Sequence, residues 1–74
     1  MSYEFYIISM KTKNGKTLYL KAKENKYNNK MLYEWCFNYN NAIWFDTIND
    51  LENFANKYFK GFNNWNIKTI NYSI

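Results

Sequence analysis

The chain has 74 residues and a mass of 9.1 kDa, enough for one domain with a small core but not for a catalytic domain joined to a regulatory one. One cysteine and no histidine exclude an internal disulfide and an ordinary zinc site. Aromatic residues make up 23% of the chain, and since each buried ring removes about 150–250 Å² from water, they dominate the material available for a core.

The formal net charge is +4, and it is concentrated in the first part of the chain. Residues 1–30 carry seven lysines and two glutamates, whereas residues 31–74 carry three lysines and four acidic residues. A basic chain is typical of proteins with polyanionic partners. An AT-rich genome is the alternative explanation, because Asn, Lys, Tyr, Ile and Phe, whose codons are rich in A and T, dominate the composition.

Residues 3–11 and 16–23 predict the two strands of a β-hairpin around Asn14 and Gly15. A two-residue loop would place apolar residues opposite lysines, whereas a three-residue loop with Gly15 in the left-handed conformation places Met10 opposite Leu18. The second register makes one face wholly apolar, and we predict it because a slip of one residue would turn that face over. The core-facing residues are then Tyr6, Ile8, Met10, Leu18, Leu20 and Ala22.

The other face of the hairpin mixes lysines with aromatic side chains, as do surfaces that follow a single-stranded nucleic acid and stack its bases. No arginine is present for bidentate contacts with phosphate or guanine, and lysine-rich hairpins also protect sheet edges. We predict a basic surface on this face, formed by Lys11, Lys13, Lys16, Tyr19, Lys21 and Lys23.

Residues 31–38 alternate between two faces and predict a third strand. Residues 42–45 predict a short fourth strand that pairs with the third. A helix follows: Thr47 is a suitable N-cap with Asp50 three residues later, and Gly61 ends the helix in the left-handed conformation, with Phe62 folding back on the last turn. Its apolar stripe contains Ile48, Leu51, Phe54, Ala55, Tyr58 and Phe59.

A turn at Asn63 and Asn64 leads to residues 65–74, which predict a last strand with a bulge or an end of pairing near Lys68, where the apolar phase shifts. Together these elements predict a single domain over residues 1–74 of the α+β class. We expect an antiparallel sheet of about four to five strands with one helix packed on one face, in the order β-hairpin, β-β, α, β.

The aromatic residues of the second half exceed what a core of this size needs, because one helix covers only one face of a sheet. Exposed apolar patches usually mark interaction sites, and Trp and Tyr are favoured interface residues. The alternative is that these rings fill the core in place of the missing valine. We predict a partner-binding surface, which includes self-association as a homodimer, at Tyr33, Trp35, Phe37, Trp44 and Trp65.

The sequence predicts neither an enzyme nor a bound cofactor or metal. Cys36 has no histidine to activate it, and Asp46 and Asp50 are explained by the start of the helix. Gly15 and Gly61 are assigned to a turn and a cap, so no phosphate-binding loop is formed. No signal peptide or membrane span is apparent, and with a single thiol this indicates a cytoplasmic protein.

Residues 42–60, 63–67 and the Lys-Asn-Gly-Lys hairpin at 13–16 resemble small open reading frames of phages and mobile elements in low-GC bacteria. In size and style the chain is similar to anti-CRISPR and other anti-defence inhibitors. The resemblance implies a non-enzymatic protein that binds and blocks a host protein, such as a defence nuclease, in the host cytoplasm. The alternative function is a nucleic-acid or nucleotide-signal binding module that uses the basic surface.

Overall fold

A computed structural model of the chain describes residues 2–28, 30–61 and 64–73. The strands are β1 (Ser2–Lys11), β2 (Thr17–Asn25), β3 (Lys30–Cys36) and β4 (Asn66–Ser73); the α-helix α1 spans Ile48–Tyr58 and a 3-10 turn spans Tyr39–Asn41. The strands form one antiparallel sheet in the order β3-β2-β1-β4, and α1 packs against it. The predicted α+β class, with one helix on a four-stranded sheet, is therefore confirmed.

The hairpin of β1 and β2 has the predicted register. Met10 pairs with Leu18, as the three-residue loop requires. The Thr12 N–H donates to the Lys16 carbonyl at 2.8 Å and closes the loop. Gly15 has a φ of 81°, the left-handed conformation that the loop needs and that glycine adopts at little cost.

Residues 42–45, termed the inserted segment, lie between β1 and β2, which separate beyond their first three residue pairs. The Ile43 N–H donates to the Leu20 carbonyl at 2.9 Å, and Phe45 exchanges two hydrogen bonds of 2.9 Å with Tyr6. The prediction that this segment pairs with the third strand is wrong, since β3 pairs with β2. The splayed strands leave unpaired backbone groups, and the inserted segment satisfies three of them, the Tyr6 N–H, the Tyr6 C=O and the Leu20 C=O.

An apolar cluster lies on each face of the sheet. The helix-side cluster is built on buried Ile8, Leu20 and Leu51, with partly buried Tyr6, Tyr33, Trp35, Ile43, Phe45, Phe54, Phe59 and Trp65 around them. The loop-side cluster contains buried Phe5, Ile7, Tyr19 and Ala42, with Cys36 and Ile70 against it. The second face of the hairpin was predicted to be exposed, which is wrong here because the chain from the 3-10 turn to the inserted segment covers it.

The helix begins as predicted: the Thr47 hydroxyl accepts a hydrogen bond from the Asp50 N–H at 3.1 Å. It ends at Tyr58, and Gly61 beyond it has a φ of 81°. The predicted packing of Phe62 and the turn at 63–64 lie wholly or partly outside the described residues. Within the described ranges, no helix has the length and apolar character needed to cross a membrane.

The last strand, β4, pairs with β1 without interruption from Ser2 and Ser73 to Ser9 and Asn66. Lys68 lies opposite Ile7 in this register, so the prediction of a bulge or an end of pairing near Lys68 is wrong. The phase shift in the apolar pattern instead reflects a strand with exposed residues on both faces, where only Ile70 is half-buried.

Candidate functional site

Three half-exposed rings lie together on the loop side of the sheet, where β1 meets β4. Tyr3 pairs with Tyr72, so both side chains leave the same face, and Phe5 follows two residues along that face. Trp44 of the inserted segment stacks on Phe5 with ring centroids 3.9 Å apart and an interplanar angle of 19°. Tyr3, Trp44 and Tyr72, which are 51%, 55% and 54% exposed, are termed the aromatic patch.

The aromatic patch surrounds an open cavity of about 260 Å³, lined by Tyr3, Glu4, Phe5, Trp44, Asp46 and Tyr72. Glu4 and Asp46 are exposed residues on its wall, and no lysine lines it. Rings with carboxylates beside them favour an apolar group accompanied by a positive charge.

Two larger cavities are lined mostly by charged and polar residues. The first, of about 440 Å³, follows the turn between β2 and β3, where Tyr27 is 99% exposed. The second, of about 390 Å³, lies beside the hairpin loop and is lined by Lys11, Thr12, Lys13, Asn64 and Asn66. Neither brings several rings together, so the smaller cavity is the better candidate site for an apolar partner group.

Three of the five predicted partner-binding residues belong to the helix-side cluster. Trp35 stacks on Phe59 with ring centroids 6.0 Å apart, and the Trp65 ring centroid lies 6.2 Å from that of Phe59. Tyr33 packs edge-on against Phe54 at 4.9 Å. Tyr33, Trp35 and Trp65 are therefore not surplus rings, and the alternative that such rings fill the core is correct for them.

The two other predicted partner-binding residues, Phe37 and Trp44, are 71% and 55% exposed, but the structure does not bring them together. Phe37 follows the end of β3, and its ring centroid lies 5.9 Å from the Lys16 ammonium. Trp44 lies in the aromatic patch. Of the predicted set, Trp44 is thus the member that belongs to the candidate site.

Tyr33 is also a titratable group with a perturbed environment. Burial, followed by a hydrogen bond and a charge interaction with Tyr58, raises the pKa of the Tyr33 phenol. The centroids of the two rings lie 4.9 Å apart on the helix side of the sheet, whereas the aromatic patch lies on the loop side. This shift therefore reports on packing rather than on the candidate site.

The predicted basic surface is not one continuous surface. Tyr19 is only 9% exposed, because the Tyr39 ring packs against it and the Lys68 ammonium lies 5.6 Å from its centroid. Lys21 forms an ion pair with Glu34 at 3.1 Å. The prediction that Tyr19 is a surface stacking ring is therefore wrong, and the charge of Lys21 is partly neutralised.

The remaining lysines of that surface divide between two ends of the hairpin. Lys11, Lys13 and Lys16 are exposed around the loop, whereas Lys23 is exposed near the far end of β2. Seven residues of extended chain separate Lys16 from Lys23, which corresponds to about 23 Å. A backbone-tracking groove with interleaved stacking rings is not formed by these residues.

Comparison of the chain with protein-family models, with curated proteins and with solved structures found no significant match. Among the described residues, no group of three or more His, Cys, Asp or Glu side chains is placed to hold a metal ion. The resemblance to phage accessory and anti-defence proteins stays a prediction.

Sequence reasoning missed Tyr3 and Tyr72, which form two thirds of the aromatic patch. Each tyrosine lies two residues from an apolar residue of its own strand: Tyr3 from Phe5, and Tyr72 from Ile70. This alternation would have placed them on one face if β1 and β4 had been taken as neighbours. No local pattern in the sequence indicates that pairing, because the two strands are far apart in the chain.

Proposed function

We propose that this protein is a non-catalytic binding protein that attaches to another protein through the aromatic patch. The observation that carries this proposal is the arrangement of Tyr3, Trp44 and Tyr72, each about half exposed, around a cavity whose floor is the buried Phe5 ring. Partly exposed aromatic residues that surround a pocket are the usual anchors of protein interfaces.

The charges around the aromatic patch favour a protein over a nucleic acid. Glu4 and Asp46 line the cavity, and a phosphate backbone would be repelled by them. The lysines of the hairpin loop line a different cavity, so they are not interleaved with the exposed rings. A partner segment with an apolar side chain next to lysine or arginine fits the aromatic patch better.

The resemblance of the chain to small phage proteins suggests what kind of protein the partner is. In this interpretation the protein acts in the bacterial cytoplasm and blocks a host defence protein, such as a nuclease, by occupying its surface. The aromatic patch supports binding of this kind because it requires no reactive group, cofactor or metal.

A capture experiment with matched tyrosine variants tests the proposal. The immobilised chain is exposed to a lysate of a low-GC bacterium and washed at about 0.5 M salt, which screens contacts between exposed charges. Tyr72→Ala removes a ring of the aromatic patch, and Tyr58→Ala removes a ring of similar exposure, 48% against 54%, on the helix side. Circular dichroism establishes that both variants are folded.

We expect one host protein to bind the wild-type chain and Tyr58→Ala equally, and its affinity for Tyr72→Ala to fall about tenfold or more. Equal binding to both variants would contradict the proposal. So would binding to an oligonucleotide that weakens linearly with the logarithm of salt concentration and is lost in Lys11→Glu/Lys13→Glu.

A further inference from the structure

The outer edge of β4 is open. β4 is the last strand of the sheet, and the strand on its inner side, β1, pairs with it over eight residue pairs. Among the described residues, none pairs with its outer side. Alternate residues therefore direct unpaired N–H and C=O groups outward, an arrangement that accepts another strand.

This edge has few of the features that usually prevent strands from pairing. The chain has no proline, and the pairing with β1 contains no bulge that would twist the edge away. Lys68 is the single charged residue of Asn66–Ser73, and its ammonium lies across the sheet, 5.6 Å from the centroid of the Tyr19 ring. This one inward-directed charge is the feature of β4 that opposes pairing.

The opposite edge of the sheet is better protected. β3 carries Lys30 and Glu34, and the Glu34 carboxylate is held beside the Lys21 ammonium at 3.1 Å. Charged residues of this kind disfavour edge pairing. Of the two sheet edges, the β4 edge is the one suited to a second strand.

We propose that the second strand is β4 of another copy of this chain, paired antiparallel about a two-fold axis at Ile70. A two-fold axis normal to the sheet joins antiparallel strands and keeps equivalent side chains on the same face. Two four-stranded sheets then become one continuous sheet. Ile70 meets Ile70 of the second copy, Lys68 meets Tyr72, and Thr69 meets Asn71.

Charge disfavours the registers centred on Lys68 and Thr69, and an axis at Asn71 would pair only residues 69–73 of β4, five residues against the seven of residues 67–73. An axis at Lys68 would place the two lysines directly opposite each other, and an axis at Thr69 would leave them two residues apart, or about 7 Å. The axis at Ile70 separates them by four residues, or about 13 Å, which exceeds the Debye length of about 8 Å at physiological salt.

The dimer goes beyond the proposed binding function and is separable from it. Tyr72 belongs to the loop side, whereas Thr69 and Asn71 leave the opposite side of β4, by the alternation of a strand. Pairing about Ile70 places both aromatic patches on the same face of the joined sheet. Standard stable interfaces bury at least about 1,200 Å², and pairing along one strand edge buries less than this. We therefore expect the association to be reversible and to depend on concentration.

Sedimentation equilibrium over a micromolar to millimolar range tests the pairing and its register. In the proposed register residue 69 of each copy faces residue 71 of the other, so Thr69→Lys/Asn71→Lys creates two pairs of facing lysines. Thr69→Glu/Asn71→Lys creates two pairs of opposite charges instead. It also disfavours the registers centred on residue 69 or residue 71, because those would bring two glutamates or two lysines together. Met31→Lys/Leu32→Lys adds the same charge to the β3 edge at residues that are 49% and 51% exposed, and it is the matched control. Circular dichroism verifies the fold of each variant.

We expect the wild-type chain, the control and Thr69→Glu/Asn71→Lys to dimerise. The dissociation constant of the Thr69→Lys/Asn71→Lys dimer should be at least tenfold higher than that of the wild-type dimer. A wild-type chain that stays monomeric over the whole range would overturn the proposal. Loss of the dimer in the control would place the interface at β3 and overturn it as well. If the Glu/Lys variant dissociated as readily as the Lys/Lys variant, pairing about Ile70 would be refuted.

Discussion

Replacing Trp44 with alanine tests whether the inserted segment holds the loop-side cluster in place. Trp44 stacks on Phe5, which is only 7% exposed, so the indole covers a ring that would otherwise meet water. Trp44 and Phe37 were both predicted to be surplus rings of one partner-binding surface. The structure separates them, and their stability effects should differ accordingly.

The size of the effect follows from the buried area. Trp44 is 55% exposed, so a little under half of its surface is removed from water. For a side chain of about 250 Å² this is about 110 Å², or about 2.5–3 kcal/mol at about 25 cal/mol per Å². Because a domain of this size rarely exceeds about 3–5 kcal/mol of stability, Trp44→Ala should remove more than half of the free energy of unfolding.

Equilibrium unfolding in urea, followed by far-ultraviolet circular dichroism, measures this loss. Phe37 is 71% exposed, and the same arithmetic gives about 1.5 kcal/mol or less for Phe37→Ala. Tyr27 is 99% exposed, so Tyr27→Ala should change stability by about 0.5 kcal/mol at most. An equal loss in Trp44→Ala and Phe37→Ala would refute the covering role of Trp44.

Three further predictions concern the helix and its packing. Leu51 is fully buried, so Leu51→Ala should cost about 2–5 kcal/mol and abolish cooperative thermal unfolding; a normal transition would contradict this. Thr47→Ala should cost about 1 kcal/mol in urea unfolding, whereas Thr47→Ser should retain the cap. The pKa of Tyr33 is raised in the folded state, so its contribution is complete below the unfolded pKa, about 10, and is lost as pH rises through the higher folded value. Between about pH 9 and pH 11 the free energy of unfolding should therefore fall more steeply in the wild type and in Tyr27→Phe than in Tyr33→Phe, and parallel slopes would refute the assignment.

The features that the sequence predicted correctly are those with local causes. Gly15 sets the loop, and the apolar alternation of the two strands chooses the register, because a slip of one residue would move that face into water. Thr47 marks the start of the helix through a contact only three residues away. Each of these choices is determined by residues close together in the chain, so periodicity and turn chemistry were sufficient.

The inserted segment could not be predicted in this way, because its partners are distant in sequence. Ile43 forms a backbone hydrogen bond with β2, and Phe45 forms two with β1. Both contacts are possible only because those two strands separate beyond the hairpin loop. Short strands next to each other in sequence usually pair, which favoured pairing with β3. The candidate site was missed for the same reason: it combines Tyr3, Trp44 and Tyr72 from three distant parts of the chain.

The inserted segment also explains how a chain with one helix packs so many aromatic rings. The helix covers one face of the sheet, while the chain that leads into the inserted segment covers the middle of the other face, where Tyr39 packs on Tyr19 and Trp44 on Phe5. This cover stops at Trp44, so rings near the β1–β4 end stay about half exposed. The aromatic patch is thus the uncovered margin of the loop-side cluster, and it lies next to the strand whose outer edge is also open. A partner that covered the patch would complete the second layer over this face, which is why we expect binding to raise the free energy of unfolding as well as to block the partner.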